Sequence, residues 1–406
     1  MKILMSAYAC EPDKGSEPAV GWNWALQAAR SHEVWVLTRA NNREAIERSG
    51  IVNDVPNLHF VYHDLPAWVQ GLKRKTGRLR PYYLLWQLTA LPKARRLHRE
   101  VTFDVGHHVT FVSARYPSFL SCMAVPYVWG PVAGGDRASL RFSRSLGLRG
   151  TLTEIVRTTS NIVARWDPSV RLTAMRAQSI LIATPASIDL LPRTARAKAN
   201  VVPAIGLSGI LVNARTRNHE PEQLHLLYVG NLLYWKGLQF ALPAIAMARQ
   251  TGANVRLTIV GDGPERPALE RLADRLDISD AITFKGKLPR DEVLSLYSDY
   301  DALIFPSIRD SGGMAVLEAM AAGLPVICLA IGGPSLAVTD ATGIRVAANE
   351  PDQVVRDMAA AIKRLAGDPA GRERMGEAGR RRVIEDYGWD RLGGLLRSLY
   401  PKAAAR

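Results

Sequence analysis

Four consecutive residues, Asp310-Ser311-Gly312-Gly313, combine a carboxylate and a hydroxyl with two positions that carry no side chain. Glycines let a backbone approach a ligand closely and adopt positive φ. Residues 315–322 follow with helical periodicity. The first turn of a helix offers unpaired N–H groups and a partial positive charge, which suits an anion such as a diphosphate. Glu318 stands about one turn into that helix, where its carboxylate could accept from a ribose diol. Asp310 stands before the glycines, where a carboxylate could bind sugar hydroxyls. A plain strand–turn–helix crossover, with a capping Asp and a buried Glu, would use the same residue types. Gly323 and Pro325 read as the cap and stop of the helix.

A second loop of interest lies near the N-terminus. Gly15-Ser16-Glu17-Pro18 separates a short apolar run from a helical pattern, and Pro18 suits a first helical turn. Its N–H groups could point at the same diphosphate. Tyr127 to Asp136 is another apolar run ending in a glycine-rich turn, Gly134-Gly135, and its place in the order puts it on the acceptor side. The three cysteines, Cys10, Cys122 and Cys328, show no CxxC spacing, and there is no HxxxH. This argues against a disulfide framework or a structural zinc and fits a reducing compartment.

These residues need a scaffold, and the chain supplies a rhythm for one. Apolar runs at residues 3–7, 33–38, 58–62, 103–111, 127–129 and 179–183 read as strands, and residues 19–30 as a helix. The series predicts a parallel sheet covered by helices. Residues 213–223 are polar and aperiodic and read as a linker. Strands at 224–229, 255–260, 282–284, 302–305 and 326–328 then alternate with helices at 238–250, 292–298, 315–322 and 353–365. The expected organisation is an N-terminal Rossmann-like domain (1–212), the linker (213–223), a second such domain (224–388) and an amphipathic tail (389–406) packing back on the first. Two doubly wound domains would hold ligands at the carboxyl ends of their strands.

The second half also resembles a known family. Glu318-Ala319-Met320-Ala321-Ala322-Gly323-Leu324-Pro325-Val326 is similar to the donor-site signature of retaining family 4 glycosyltransferases, of group 1 type and GT-B fold. In that signature two acids stand with seven residues between them. The resemblance implies that Asp310, where the family usually has Glu, contacts the donor sugar and that Glu318 binds the ribose. Residues 229–237 resemble the family's G-R-x(4)-K-G loop, whose Arg and Lys clamp the diphosphate; here the positions hold Asn231 and Lys236. Gly261-Asp262-Gly263-Pro264 resembles a G-x-G-P turn, and Gly332-Gly333 follows the next strand. The Gly15-Ser16 loop resembles the family's N-terminal glycine-rich loop, with Ser16 in place of its second Gly. Asp104 to His108 resembles a D-x-x-H-x-H segment in which a strand-end His lies near the reacting sugar. His107 and His108 alternate in direction on a strand, so one of them faces the ligand, His108 by preference.

The implied activity is retaining transfer of a sugar from a nucleoside diphosphate to a saccharide acceptor, free or lipid-linked, in polysaccharide, lipopolysaccharide or glycolipid synthesis. Asp310, His108 and Lys236 would be catalytic. Gly15, Ser16, Asn231, Lys236, Asp310, Ser311, Gly312, Gly313, Met314 and Glu318 would bind the donor. No metal and no cofactor beyond the donor substrate is implied. Charge builds on the leaving phosphate, and Lys236 with the amides near Gly312 and Gly313 would stabilise it. A nucleotide-sugar epimerase on a similar fold and a non-catalytic nucleotide-sugar-binding protein are the alternatives.

The whole chain bounds these readings. It has 406 residues, 47% hydrophobic and 22% charged, ordinary for a soluble protein of two domains. The first residues lack a secretory cleavage pattern, and no apolar run approaches the roughly 20 residues of a membrane span. A net charge of +14 points to an anionic partner. Residues 72–99 carry Lys73, Arg74, Lys75, Arg78, Arg80, Lys93, Arg95, Arg96 and Arg99 without an acid, around Tyr82, Tyr83 and Trp86. Basic and aromatic residues together suggest an interfacial helix on an anionic leaflet. The expected location is cytoplasmic, peripheral at the inner face of the cell membrane. No nucleic-acid-binding motif accompanies the charge, so nucleic acid is not an expected partner.

Overall fold

In a computed structural model of the chain, residues 1–76, 79–136, 140–207 and 223–405 are described; for residues 52, 72–76, 79–80, 140, 143–144 and 148–149 this covers the backbone only. Two parallel sheets organise it, and each follows from short apolar runs that can be buried on both faces. The first has seven strands: β1 (Lys2–Ala7), β2 (Glu33–Arg39), β3 (Leu58–His63), β4 (Val105–Thr110), β5 (Tyr127–Val132), β6 (Ser179–Ile182) and β7 (Ala199–Val201), in the order β3-β2-β1-β4-β5-β6-β7. The second has six: β8 (Leu224–Val229), β9 (Val255–Val260), β10 (Ile282–Gly286), β11 (Ala302–Phe305), β12 (Val326–Leu329) and β13 (Gly343–Val346), in the order β10-β9-β8-β11-β12-β13. All pairings are parallel. Strand order reverses beside β1 and β4 in one sheet and beside β8 and β11 in the other. Such switch points open a crevice at the carboxyl ends of the strands.

The chain divides into two compact units. The first comprises Met1–Gly135, Thr159–Gly206 and Trp389–Arg406; the second comprises Asp136–Thr158 and Leu207–Gly388. The division differs from the sequence expectation of residues 1–212 and 224–388 in two places: the first unit gives way at Gly206 to a second that begins at Leu207, and one internal segment changes sides. Residues 136–158 leave the first unit for the second, where Phe142 and Leu146 join the second core and Phe142 meets the Phe240 ring edge-on. The expected linker, residues 213–223, lies outside the described residues except for Gln223. The C-terminal helix Trp389–Ala404 packs on the helix Ser16–Ala29 of the first unit, and Tyr400 reaches the ring of His107.

The first core corrects one expectation. Tyr82, Tyr83 and Trp86 on the helix Leu79–Val101 are buried, not interfacial. Tyr8 stands edge-on to both Tyr83 and Trp86, the Trp86 indole donates to the His63 carbonyl at 2.8 Å, and the Tyr82 hydroxyl donates to Asp64. The three aromatics close the core beneath the helix, where their polar tips find partners. On the same helix Lys93 donates to the Tyr62 carbonyl and Arg95 to the Cys122 carbonyl. The side chains of Lys73, Arg74, Lys75, Arg78 and Arg80 lie outside the described residues.

Candidate functional site

In the second unit, the loops that follow β8 and β11 meet at the switch point. The Ile308 N–H donates to the Trp235 carbonyl at 2.9 Å, and the Ser307 hydroxyl donates to the same carbonyl at 3.1 Å. Gly237 makes the approach possible. It has φ +78, and a Cβ there would stand 1.9 Å from the Pro306 carbonyl oxygen. Any other residue would force the two loops apart.

This junction sets Lys236 against Asp310. Lys236 Nζ lies 2.6 Å from Asp310 Oδ2, both side chains being largely buried, and 5.0 Å from the centre of the Phe305 ring. Asp310 Oδ1 accepts from the N–H groups of Gly312 at 3.1 Å and Gly313 at 2.8 Å. Asp310 therefore shapes its own loop: one oxygen holds the turn that leads into the helix Met314–Ala321 and the other holds the lysine. Gly313 takes the left-handed φ of +66 that turns the chain into this helix, and Met314 is its first residue. Gly332 and Gly333 support the loop from behind, for Cβ atoms there would lie 2.3 Å from the Asp310 carbonyl and 2.4 Å from the Ser311 carbonyl.

Glu318 is buried one turn into the helix. Tyr297 donates to Glu318 Oε2 at 3.0 Å, and Arg290 Nη2 lies 2.7 Å from Oε1. Burial raises its pKa; the charge of Arg290 and the Tyr297 hydrogen bond oppose the rise. Asn231 is exposed, and its carbonyl accepts from the Tyr228 hydroxyl at 3.2 Å.

Several residues that hold this site were not read from the sequence. Arg290 lies after β10 at the start of the helix Arg290–Leu296. Arg309 stacks over the Trp235 ring at 4.4 Å and pairs with Glu154, which also accepts from the Tyr234 hydroxyl at 3.0 Å. Arg309 is thus turned inward and does not replace the cation absent at Asn231. The Ser311 hydroxyl donates to the buried Asp136 at 3.1 Å. Asp136 and Glu154 both come from the segment Asp136–Thr158. Asp136, expected on the acceptor side, instead holds the Asp310 loop. No local pattern announces contacts of this kind, because Glu154 and Arg309 are 155 residues apart.

In the first unit, the loops after β1 and β4 also meet at a switch point. The Ala9 N–H donates to Thr110 Oγ1 at 3.0 Å, and the Val112 N–H donates to Glu17 Oε1 at 2.9 Å. Burial pushes the Glu17 carboxyl up to about 7. Gly15 precedes the helix Ser16–Ala29 as its cap. Ser16 has φ +60, a conformation that glycine adopts freely and other residues rarely. His107 and His108 are both buried. His107 Nε2 and Nδ1 lie 2.7 Å from the Gly130 carbonyl and 2.7 Å from the Tyr400 hydroxyl. A carbonyl can only accept, so Nε2 carries the proton and Nδ1 accepts from Tyr400. Burial lowers its pKa to about 3, and that of His108 to about 4. His108 Nε2 lies 3.3 Å from the Phe111 carbonyl, while its Nδ1 has no partner among the described residues. Of the two histidines, His107 is fully committed and His108 retains an open acceptor. Among the described residues no group of three His, Cys, Asp or Glu could hold a metal ion.

Two doubly wound sheets, with a glycine-rich anion-type loop at the switch point of the second, define a protein of the GT-B fold. Residues 213–382 match the family described as Glycosyl transferases group 1, and the chain therefore carries a group 1 glycosyltransferase domain. Over 79% of its length it is 28% identical to the 2-deoxystreptamine glucosyltransferase of Streptomyces kanamyceticus, of which the match covers 76%. Among solved structures it is similar to the sucrose-phosphate synthase of Thermosynechococcus elongatus, with a TM-score of 0.67 and 19% identity over 100% of this chain and 99% of that one. It is also similar to the Anabaena protein HepE in complex with UDP, with a TM-score of 0.65 and 16% identity over 98% and 99% of the two chains.

Proposed function

We propose that the protein transfers a sugar from a nucleoside diphosphate to a saccharide acceptor with retention at the anomeric carbon. The observation that carries the reading is the meeting of Lys236 and Asp310 at the switch point of the second sheet, over the start of a helix that bears Glu318 one turn in. An ammonium group has three N–H donors. Asp310 uses one, and the others are free for the phosphate of a departing diphosphate. Held close to Asp310 and the Phe305 ring, Lys236 is pre-positioned where negative charge develops in the transition state. Glu318 and Arg290 present an acceptor–donor pair to the ribose hydroxyls. Asp310 Oδ2 takes a sugar hydroxyl while Oδ1 keeps the loop closed.

The transition state has oxocarbenium character, and the leaving phosphate accepts the acceptor's proton; no covalent nucleophile is assigned. Burial keeps His108 neutral beside the carboxyl end of β4, where it supports the acceptor side. The acceptor is a saccharide, free or lipid-linked, and the enzyme works in the cytoplasm, peripheral at the inner face of the cell membrane. Among the described residues no helix is long and apolar enough to cross a membrane.

A screen of nucleoside diphosphates and their sugars by thermal shift tests the reading, beginning with UDP, the nucleotide bound by HepE. At least one is expected to raise the melting temperature, and Glu318→Ala to remove the shift. Binding without sugar transfer or donor hydrolysis would leave a binding protein, and conversion of the donor sugar without an acceptor would leave an epimerase.

A further inference from the structure

Within the second unit, the two carboxylate oxygens of Glu318 are held in different ways. Oε2 accepts from the buried Tyr297 hydroxyl at 3.0 Å. Oε1 lies 2.7 Å from Arg290 Nη2, yet no N–H is directed at it, and among the described residues this buried oxygen has no hydrogen bond. A buried acceptor left open costs free energy until a donor reaches it. Both partners of Glu318 come from one stretch of chain. Arg290 opens the helix Arg290–Leu296, which runs on into the turn Tyr297–Asp299, and Tyr297 follows Arg290 by seven residues. At about 100° per residue, seven steps return nearly to the same face. The Arg290 side chain is 49% exposed and that of Glu318 only 6%. The cation thus reaches solvent while the carboxylate does not.

We propose that Arg290 is a positioning residue of the donor site: it keeps Glu318 a carboxylate and leaves Oε1 open, so that the site takes nucleotides with an intact ribose diol and discriminates against 2′-deoxyribose ones. The inference rests on the ribose reading of Glu318 and goes beyond it by naming what makes that residue able to bind. Burial favours the protonated acid, and the charge of Arg290 and the Tyr297 hydroxyl oppose it. The ionisation state decides recognition. A carboxylate only accepts, as two ribose hydroxyls require, whereas the protonated acid gives up acceptor capacity to its own proton. Tyr297 is neutral and directs its one proton at Oε2, and Lys236 is held by Asp310. Arg290 is the cation that faces Glu318.

The test compares UDP, GDP and ADP with their 2′-deoxy counterparts by calorimetric titration of the full chain, using the pair whose ribose form binds most tightly. Wild type is expected to favour the ribose form about tenfold or more, the contribution of one hydrogen bond to a charged group. Arg290→Met should weaken the ribose form about tenfold and the deoxy form far less, so that the two bind nearly alike. Arg290→Lys should restore most of the preference. Because Arg290 is half-exposed, the melting temperature of the free protein should stay near that of wild type. A loss that falls equally on both nucleotides, a preference that survives in Arg290→Met, or a wild type without any preference overturns the inference. Glu318→Ala separates it from the reading beneath it. If that variant keeps the ribose preference, Glu318 does not bind ribose and both readings fall. If Glu318→Ala abolishes the preference and Arg290→Met does not, the role of Arg290 falls alone. Binding of none of the nucleotides overturns both.

Discussion

The two switch points share a topology and differ in charge. Beside β8 and β11, Lys236, Asp310, Arg290 and Glu318 form two ion pairs, and Asp310 is further held by two backbone amides. Beside β1 and β4, burial favours the neutral forms of His107, His108 and Glu17, although the loop after β1 also holds an ion pair between Lys14 and Glu11. The two histidines fall to about 3 and 4, and Glu17 rises to about 7. Topology thus fixes where a ligand can enter, and side-chain ionisation decides what kind of ligand it is. A charged, hydrogen-bonded crevice matches a diphosphate.

The largest expected effect tests what keeps the charged region charged. Glu154→Ala would leave Arg309 buried on Trp235 without a counter-charge and the Tyr234 hydroxyl without its acceptor. Removing one partner of a buried pair costs about 3–5 kcal/mol, so the second unit should melt well below wild type in calorimetry. Glu154→Gln keeps an acceptor for Tyr234 and should lose less. Equal melting of wild type and Glu154→Ala would show that the segment Asp136–Thr158 does not support the site.

Lys236→Ala probes the same region through chemistry. Losing one pre-positioned charge at a leaving group typically lowers kcat about 100-fold or more. Asp310 would keep its two amide donors, so the fold should survive. A KM effect with unchanged kcat would place Lys236 in ground-state binding only. His108→Ala, at the neutral switch point, is expected to cost less, because a neutral acceptor forms an ordinary hydrogen bond.

The contrast also explains what the sequence could reveal. The central strands of the second sheet are largely buried and read as apolar runs with sharp ends, and β8, β9 and β11 coincide with those runs. β7 (ANV) and β13 (GIRV) are short edge strands with polar residues and gave no such signal. The Asp310 loop stood out because close backbone approach demands glycine, whereas Lys236 entered only through the resemblance to a known family. The helix Gly147–Trp166 was not legible, because periodicity identifies an apolar face as the buried one and here Leu152, Ile155, Val156, Ile162 and Val163 are exposed. Tyr82, Tyr83 and Trp86 show the converse error: beside many cations they suggested a surface, yet their rings fill the core. Glu154 and Asp136 act across more than 150 residues of chain, and only the fold brings them to the loop.

The neutral region has its own pH signature. Glu17 has a folded pKa of about 7 against an ordinary 4.5. Below pH 4.5 it is protonated in both states, and its contribution to stability is complete. As pH rises towards 7 the unfolded chain ionises while the folded one resists, and stability falls by about 2–3 kcal/mol. Glu17→Gln can still accept from Val112 and should abolish most of that loss. The histidines act in the opposite sense: their lowered pKa values remove stability as pH falls below about 6.5. Thermal melts of wild type and Glu17→Gln from pH 4.5 to 8.5 would separate the two. Parallel curves would mean that Glu17 is solvated in the folded state.

The smallest effect concerns the backbone of the Gly15–Ser16 turn. Ser16 sits at φ +60 with an exposed side chain, so it carries the strain of a left-handed conformation without a buried contact in return. A non-glycine residue in that region is disfavoured by roughly 1–2 kcal/mol. Glycine relieves this and recovers part of it after its own greater loss of backbone entropy. Ser16→Gly should therefore raise stability by about 0.5–1 kcal/mol, a shift of a degree or two in the melting temperature. The charged switch point already has glycine at its left-handed position, Gly313, where the reverse change should destabilise: a Cβ there would stand 3.2 Å from Pro334. If Ser16→Gly lowers both stability and transfer, the hydroxyl rather than the backbone is what the turn requires.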